Sequence, residues 1–245
     1  IQLGFMPEAL SKENVHRFQY SISAPSSDEK WCRMIDQLIA HLQQRYGEAE
    51  VRSWLFCLWD QPDFAPERSA FADPAVFCAF YRLTRRIVKQ RDSGISFGAP
   101  ATFYLPQENS WYLRFLNWCS VDTAQPTFGF QESMTLGVTP DGFQKFVTHV
   151  LGDRRKLHLE QLPIYLTEWN NTPSQQDLLN DTCFKSCYIV KGILENYDKL
   201  DSFAYWSLTD WMGEGSQPEQ MFFGGLGMFT SDGIPKASYY AFTLL

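Results

Sequence analysis

Six short runs of apolar, β-branched and aromatic residues recur along the chain, and amphipathic stretches lie between them. Their first residues are 50, 44, 31, 38 and 37 positions apart. The runs are 1–5, 51–59, 95–100, 126–131, 164–169 and 201–208. Strand and helix that alternate at this spacing predict a parallel sheet with helical crossovers. The near-continuous apolar runs indicate strands that are buried on both faces.

Four helices are predicted between these runs. The first carries an apolar stripe on one face, with Asp28 as its N-cap and Gly47 as its end. The second repeats this design and ends at Gly94. Pro140 lies in the first turn of the third helix, where its missing N–H costs little. Asp181 is the predicted cap of the fourth helix.

The pattern alone leaves open whether this α/β sheet is open or closed. A (β/α)8 barrel takes about 250 residues, and the chain has 245. Only six strand-like runs are counted, however. The chain is therefore either an open six-stranded sheet or a barrel whose first two βα units are missing. Because no linker or shift in composition divides it, we predict one domain over residues 1–245.

The charge balance excludes some partners. The chain has 21 Lys and Arg against 28 Asp and Glu, a net charge of −7, which argues against direct binding to a nucleic-acid backbone. No apolar run approaches the roughly 18 residues of a membrane span, so no membrane partner is expected. The first residues do not form a signal peptide. Since residue 1 is Ile and not Met, we expect further sequence upstream.

The cysteines and histidines give no sign of a metal site. Six Cys lack the CxxC spacing, and none of the four His is paired at metal-ligand spacing. We therefore predict free thiols and neither a metal nor another cofactor. Free thiols favour a reducing compartment, here the cytoplasm.

Aromatic residues make up 16% of the chain and include eight Trp. Flat apolar rings with a polar edge suit a packed core, and they also suit sugars. In barrels the site lies at the carboxyl ends of the strands, where Glu168 ends an apolar run. A buried carboxylate needs a partner, so Glu168 is either a salt-bridged structural acid or a site residue. Trp59, Trp169, Trp206 and Trp211 lie near strand ends, and together they favour a carbohydrate site over core packing.

Seven segments resemble the catalytic barrel of glycoside hydrolase family 39, which contains β-xylosidases and α-L-iduronidases. They are GFMPEAL, RYGEAEVRSWLFCLWDQPD, YLTEWNNT, DTCFKSCYIV, DSFAYWSLTD, FFGGLG and IPKASYY. The resemblance runs through nearly the whole chain in the family's order. It implies a (β/α)8 TIM barrel in which strands three to eight are visible here and the first two βα units are missing.

The resemblance also implies catalytic positions. Retaining glycosidases of this type use two carboxylates about 5–5.5 Å apart. Glu168 matches the nucleophile, whereas Gln61 stands where the family's W-N-E-P-N motif has its acid/base Glu. An amide neither gives nor takes the proton, and losing acid–base catalysis costs about 10²–10⁴-fold in rate. Gln keeps the shape and the hydrogen-bonding capacity of Glu. Asp60 replaces the Asn that reaches the sugar 2-hydroxyl.

The remaining contacts implied for a sugar come from the other strand ends. They are Phe5, Trp59, Asp60, Gln131, Glu132, Trp169, Asn170, Tyr205, Trp206, Trp211 and Glu214. Two departures from the family accompany Gln61. Gln131 and Glu132 stand near a His of the family, and Pro173 stands near a Tyr of the xylosidases.

These substitutions favour a domain that binds a xylose-like sugar without turning it over. Family-39-like barrels of this kind follow a helix-turn-helix region in AraC-type transcriptional regulators, so DNA would be contacted only through a missing N-terminal region. The resemblance leaves open whether two copies form a homodimer. The alternative is an active retaining β-glycosidase with an unconventional donor, Glu132 or Glu214. A third interpretation is a decayed pocket with a purely structural role.

Overall fold

A computed structural model gives the structure of the chain. It describes residues 1–12, 23–63, 69–98, 100–102, 110–123, 126–127, 129–133, 139–172, 174–210 and 221–245. The chain forms two compact units. The first unit comprises Ile1–Gln131 and Gly152–Ile164, and the second comprises Glu132–Leu151 and Tyr165–Leu245. The single domain over 1–245 stays a prediction.

The first sheet is parallel, with its strands in the order β1-β2-β3. Its strands are β1 (Gln2–Leu3), β2 (Leu55–Leu58) and β3 (Ser96–Gly98). The helices of this unit are α1 (Asp28–Tyr46), α2 (Glu48–Ser53), α3 (Pro74–Arg91) and α4 (Trp111–Val121), with a 3-10 helix at Glu8–Leu10. β2 is buried, as expected for a central strand of a parallel sheet covered by helices.

The second sheet has the strand order β4-β5-β6, and β5 pairs with β6 in parallel. Its strands are β4 (Gly129–Ser133), β5 (Ile164–Trp169) and β6 (Ser202–Tyr205). The other elements are α5 (Pro140–Lys156), α6 (Cys183–Leu194), α7 (Ala237–Leu244) and a 3-10 helix at Leu178–Asp181. All six predicted strands are confirmed. Within the described ranges they form two three-stranded sheets and not a closed barrel.

Two predicted helix caps are wrong. The cap of α1 is Ser27, whose hydroxyl accepts from the backbone N–H of Lys30 at 3.3 Å, so Asp28 is the first residue inside the helix. α6 begins at Cys183. The carboxylate of Asp181 instead accepts from the N–H of Gly224 at 2.6 Å. Asp181 therefore binds a residue that is distant in sequence, Gly224, and does not cap α6.

The core of the first unit is built from aromatic rings on α1, α3 and the strands. Trp31 donates its indole N–H to the hydroxyl of Thr84 at 2.9 Å, which joins α1 to α3. Phe71 and Phe80 stack with their ring centroids 5.1 Å apart, within the range of about 4.5–7 Å usual for aromatic pairs. The predicted stripes of α1 and α3 therefore face this core.

The core of the second unit is smaller and more polar. Trp169 at the end of β5 stacks on Phe143 of α5, with centroids 5.0 Å apart and planes at 9°. Gly192 of α6 lies so close to Phe143 that a Cβ would meet its ring at 2.5 Å. The same unit also buries charged and amide side chains, among them Lys185, Asp210 and Lys236.

All six cysteines are free. Cys57, Cys78 and Cys119 are buried, whereas Cys183 and Cys187 are exposed on α6. Burial raises the pKa of the Cys78 thiol to about 12. In the part of the chain that the structure describes, no helix is long and apolar enough to span a bilayer. The cytoplasmic location stays a prediction.

Candidate functional site

The ends of β1 and β2 fix the first group of candidate residues. The side-chain amide of Gln2 donates to the carboxylate of Asp60 at 2.9 Å and to the carbonyl oxygen of Trp59 at 3.2 Å. The backbone N–H of Gln61 donates to the carbonyl of Ala101 at 3.0 Å. The segment that follows β2 is thus held from the strands on both of its sides.

Three residues of this group have a left-handed backbone. The φ angles are +34° at Phe5, +68° at Trp59 and +43° at Gln61. Among the described non-glycine residues only His158 shares this feature. Such conformations cost about 1–3 kcal/mol each and cluster at functional sites. The left-handed residues therefore mark the strand ends of the first unit, and the sugar site predicted there stays a prediction.

The side chains of this group differ in exposure. Phe5 is 53% exposed, and Asp60 and Gln61 are half-buried. Trp59 is 0% exposed, and its ring meets that of Phe71 edge-on with centroids 4.9 Å apart. A ring without exposed surface offers no face to a ligand. In this structure the Trp59 ring supports the strand end, and its contact with a sugar stays a prediction.

Glu168 lies in an irregular part of β5. Leu166 pairs with Phe203 and Trp169 with Tyr205, so three steps along β5 match two steps along β6. One extra residue of this kind forms a bulge, which re-aims side chains and is common beside active sites. Strict alternation would place Glu168 on the face of the buried Leu166. The bulge instead leaves Glu168 half-buried.

The two residues after Glu168 are fully buried. Trp169 and Asn170 are each 0% exposed. The side-chain amide of Asn170 donates to the carbonyl oxygen of Trp206 at 2.5 Å, and the N–H of Trp206 donates to the carbonyl of Trp169 at 3.2 Å. The side chain of Asn170 and the backbone of Trp169 thus join the ends of β5 and β6. The sugar contacts expected of these two residues stay predictions.

The end of β6 contributes two aromatic residues. Tyr205 is half-buried and meets Trp169 edge-on at 5.5 Å, and burial raises the pKa of its hydroxyl. Trp206 is 36% exposed, and its bond to Ser207 is cis. Together with Glu168, these rings lie at the carboxyl ends of two paired parallel strands. Trp206 thus keeps an accessible apolar face of the kind that stacks on sugars.

A buried lysine lies behind these strand ends. The Nζ of Lys185 donates to the side-chain oxygens of Asn170, Asn171 and Asn180, at 2.9 Å for Asn180. Burial lowers its pKa to about 7, and nearby Lys236 acts in the same direction. A second lysine, Lys236, is buried between the carboxylates of Asp181 and Asp210.

Four predicted site residues cannot be placed as side chains. Gln131 and Glu132 lie on β4, whose backbone alone is described. Trp211 and Glu214, as well as Pro173, lie outside the described residues. In the described ranges no cluster of His, Cys, Asp or Glu is suited to hold a metal ion.

Sequence reasoning missed two residues that organise the strand ends. Gln2 stands inside a short apolar run, and its role depends on the pairing of β1 with β2. For Lys185 the sequence does contain a signal, because it lies on the face of α6 that is buried. That face consists of Lys185, Tyr188, Ile189 and Gly192. A lysine at the first position of a helical apolar stripe indicates a buried charge.

Comparison with known proteins gives the chain an α/β glycosidase fold of the TIM-barrel type. The structure is similar to a monomeric β-xylosidase from Caulobacter crescentus CB15, with a TM-score of 0.84 and 27% identity over 99% of this chain and 51% of that one. The sequence model of glycosyl hydrolases family 39 matches residues 1–245, and the chain belongs to this family.

Two β-xylosidases are similar in sequence. The enzyme from Caldicellulosiruptor saccharolyticus is 34% identical over 100% of this chain and 52% of its own length. The enzyme from Geobacillus stearothermophilus is 30% identical over 99% of this chain and 51% of its own length. The chain therefore spans about half the length of these relatives. The absence of the first two βα units stays a prediction.

Proposed function

We propose that this chain is a family-39 domain that binds a xylose-like sugar and is deficient in hydrolysing it. The observation that carries the proposal is an amide, Gln61, at the position of the family's acid/base carboxyl. It stands on a strand end with a left-handed backbone and two neighbouring strands holding the segment. The proposal therefore holds that the backbone around position 61 is that of a catalytic strand end, whereas the side chain that would donate the proton is replaced by an amide.

The chemistry of the two steps explains the deficiency. In the first step the Glu168 carboxylate bonds to the anomeric carbon while the bond to the leaving oxygen breaks. An alkoxide leaving group needs a proton, which Gln61 does not supply. In the second step a water attacks the anomeric carbon, the bond to the Glu168 carboxylate breaks, and the water must lose a proton, which Gln61 does not accept. A phenolate leaving group needs no proton, so aryl xylosides bypass the first defect alone.

Accessible side chains at the strand ends of each unit are suited to a sugar. In the first unit, Phe5 carries an accessible ring and Asp60 a half-buried carboxylate. In the second unit, Trp206 carries an accessible ring and Glu168 a half-buried carboxylate. Rings stack on the apolar faces of a sugar while carboxylates accept from its hydroxyls. Gln2 holds Asp60 in place, so the replacement of the family's Asn by Asp keeps an acceptor for the 2-hydroxyl.

The biological role that fits binding without turnover is sensing. We propose the sugar-sensing domain of an AraC-type regulator, because a sensor needs a ligand that changes the population of two states and is not consumed. This finer role rests on the resemblance and on Gln61. Contact with DNA and formation of a homodimer belong to the same proposal.

A second candidate function is an active β-xylosidase. It is favoured by the β-xylosidase relatives at 34% and 30% identity, together with the retained Glu168. Such an enzyme would need another proton donor. Glu132 and Glu214 are the candidates, and neither side chain is described.

Calorimetric titration with xylose and xylobiose, followed by product analysis, tests the proposal. The expected result is saturable binding with xylobiose left intact. With 2,4-dinitrophenyl β-xyloside we expect one phenolate per chain, followed by little turnover, and no burst from Glu168→Gln. Absence of binding would refute the proposal. Steady turnover of xylobiose that Glu168→Gln abolishes would support the second candidate.

A further inference from the structure

Lys185 is the one fully buried cation in the described residues of the second unit that contacts amides rather than carboxylates. It is 1% exposed and belongs to α6, behind the ends of β5 and β6. The charged form of a buried lysine that hydrogen-bonds to amides and to no carboxylate is costly.

The partners of Lys185 follow Glu168 closely in sequence. Asn170 and Asn171 are the second and third residues after it, and their side-chain oxygens both accept from the lysine. Asn180, in the 3-10 helix before α6, is the third acceptor at 2.9 Å. In its charged form the amine has three N–H donors, and these three oxygens are their acceptors.

Asn170 connects Lys185 to the end of β6. Its oxygen accepts from Lys185 and from the N–H of Asn171 at 2.8 Å, while its nitrogen donates to the carbonyl of Trp206. The orientation of the amide is thereby fixed, since only the oxygen can face the lysine. The ring of Tyr205 also lies near the ammonium, with its centroid 5.6 Å from Nζ. One cation thus ties the ends of both strands.

We propose that Lys185 is a positioning residue, which fixes the segment 169–171 against Trp206 and so holds the carboxylate of Glu168 in the orientation required for attack. The inference rests on the proposed function, because it assigns Glu168 as the attacking group. Bulges alone leave a strand end able to adopt other pairings. A support behind the strand end removes that freedom, and small losses of orientation are costly in rate.

The test compares Lys185→Met with Lys191→Met in the full chain. Lys191 lies on the same helix but is exposed, where it pairs with Glu195. The rate constant and the amplitude of the phenolate burst from 2,4-dinitrophenyl β-xyloside are measured at saturation. We expect Lys185→Met to lower the rate constant at least tenfold and Lys191→Met to leave it unchanged. A merely structural role would lower the amplitude through loss of folded protein and spare the rate constant.

Amide hydrogen exchange separates failure of this inference from failure of the proposed function. In folded Lys185→Met we expect faster exchange in 169–172 and 205–208, with β2 protected as in the wild type. Unchanged exchange in both segments, or an unchanged burst rate constant, would overturn the inference. If the wild type gives no burst, the assignment of Glu168 is wrong, and the exchange data still decide whether Lys185 fixes the segment.

A second variant covers the case in which Lys185→Met does not fold. The side-chain nitrogen of Asn171 has no hydrogen-bond partner among the described residues, and its oxygen accepts from Lys185. Asn171→Ala keeps the lysine and removes one of its acceptors. We expect a burst rate constant between those of the wild type and Lys185→Met, with faster exchange confined to 169–172. A burst and an exchange profile equal to those of the wild type would contradict the inference.

Discussion

The Nζ of Lys236 lies 2.9 Å and 3.0 Å from the two carboxylate oxygens of Asp210, and both side chains are fully buried. The same ammonium reaches Asp181 at 2.5 Å and the carbonyl of Gly225 at 2.8 Å. The carboxylate of Asp210 in turn accepts from the N–H of Gly227 at 2.7 Å. This ion network joins the segment after β6 to the glycine-rich segment before α7.

Removal of the Lys236 cation from this network is expected to destabilise the fold strongly. Lys236→Met leaves the Asp210 charge buried without its partner, which costs about 3–5 kcal/mol in the free energy of unfolding. Urea denaturation measures this loss, with Lys191→Met as an exposed control that keeps the wild-type midpoint. A Lys236→Met midpoint equal to that of the control would show that the network does not stabilise the fold.

Substitution of Gly224 and of Gly233 by alanine separates the cost of backbone strain from the cost of a steric clash. Both have a φ of +83°, but a Cβ on Gly224 would collide with the backbone of Asp177, whereas one on Gly233 would meet nothing within 4 Å. Gly233→Ala should cost about 1–2 kcal/mol through backbone strain alone. Gly224→Ala should cost about 1–3 kcal/mol more through overpacking. Equal losses in thermal unfolding would contradict the close approach.

The lowered pKa of Lys185 predicts a pH dependence of stability. Burial brings this pKa from 10.5 to about 7, so between these values the unfolded chain holds a proton that the folded chain has released. Raising the pH therefore favours the folded state. Relative to Lys185→Met, the free energy of unfolding of the wild type should rise by about 1.4 kcal/mol per pH unit over this window. A difference that stays constant from pH 7 to pH 10 would refute the burial of a titrating amine.

The contact between α1 and α3 offers a test in the first unit. Thr84→Val keeps the volume of the side chain but leaves the buried indole N–H of Trp31 without an acceptor. The expected loss is about 1–3 kcal/mol in the free energy of unfolding. Thr243→Val, at an exposed position of α7, is the matched control, and an equal effect of both variants would argue against the bond.

The sequence predicted the strands well because their signal is local. Each apolar run is long enough to stand out, and helices between parallel strands impose a regular spacing. Three helices, α2, α4 and α7, were not predicted. α2 has only six residues, too few to show a helical period. α4 and α7 are so rich in aromatic and apolar residues, as in WYLRFLNWCSV, that no polar face marks their period. A Ser at position 110 caps α4 and was the one available signal.

The chemistry of the candidate site was predictable only in part. Glu168 and Gln61 could be found because motifs name positions along the chain. The burial of Trp59, Trp169 and Asn170 could not, because it depends on Phe71, Phe143 and other distant residues. The bulge that leaves Glu168 half-buried depends on the register between two strands, which alternation along one strand does not reveal.

Hydrolysis of unactivated xylobiose by Gln61→Glu tests the central claim most directly. Gln37→Glu, an exposed change of the same kind on α1, is the control. Restoring a carboxyl at position 61 should raise the steady-state rate about 10²–10⁴-fold over the wild type, and Glu168→Gln should abolish the gain. A wild type that already matches Gln61→Glu, or no gain in a variant that binds the sugar, would contradict the account.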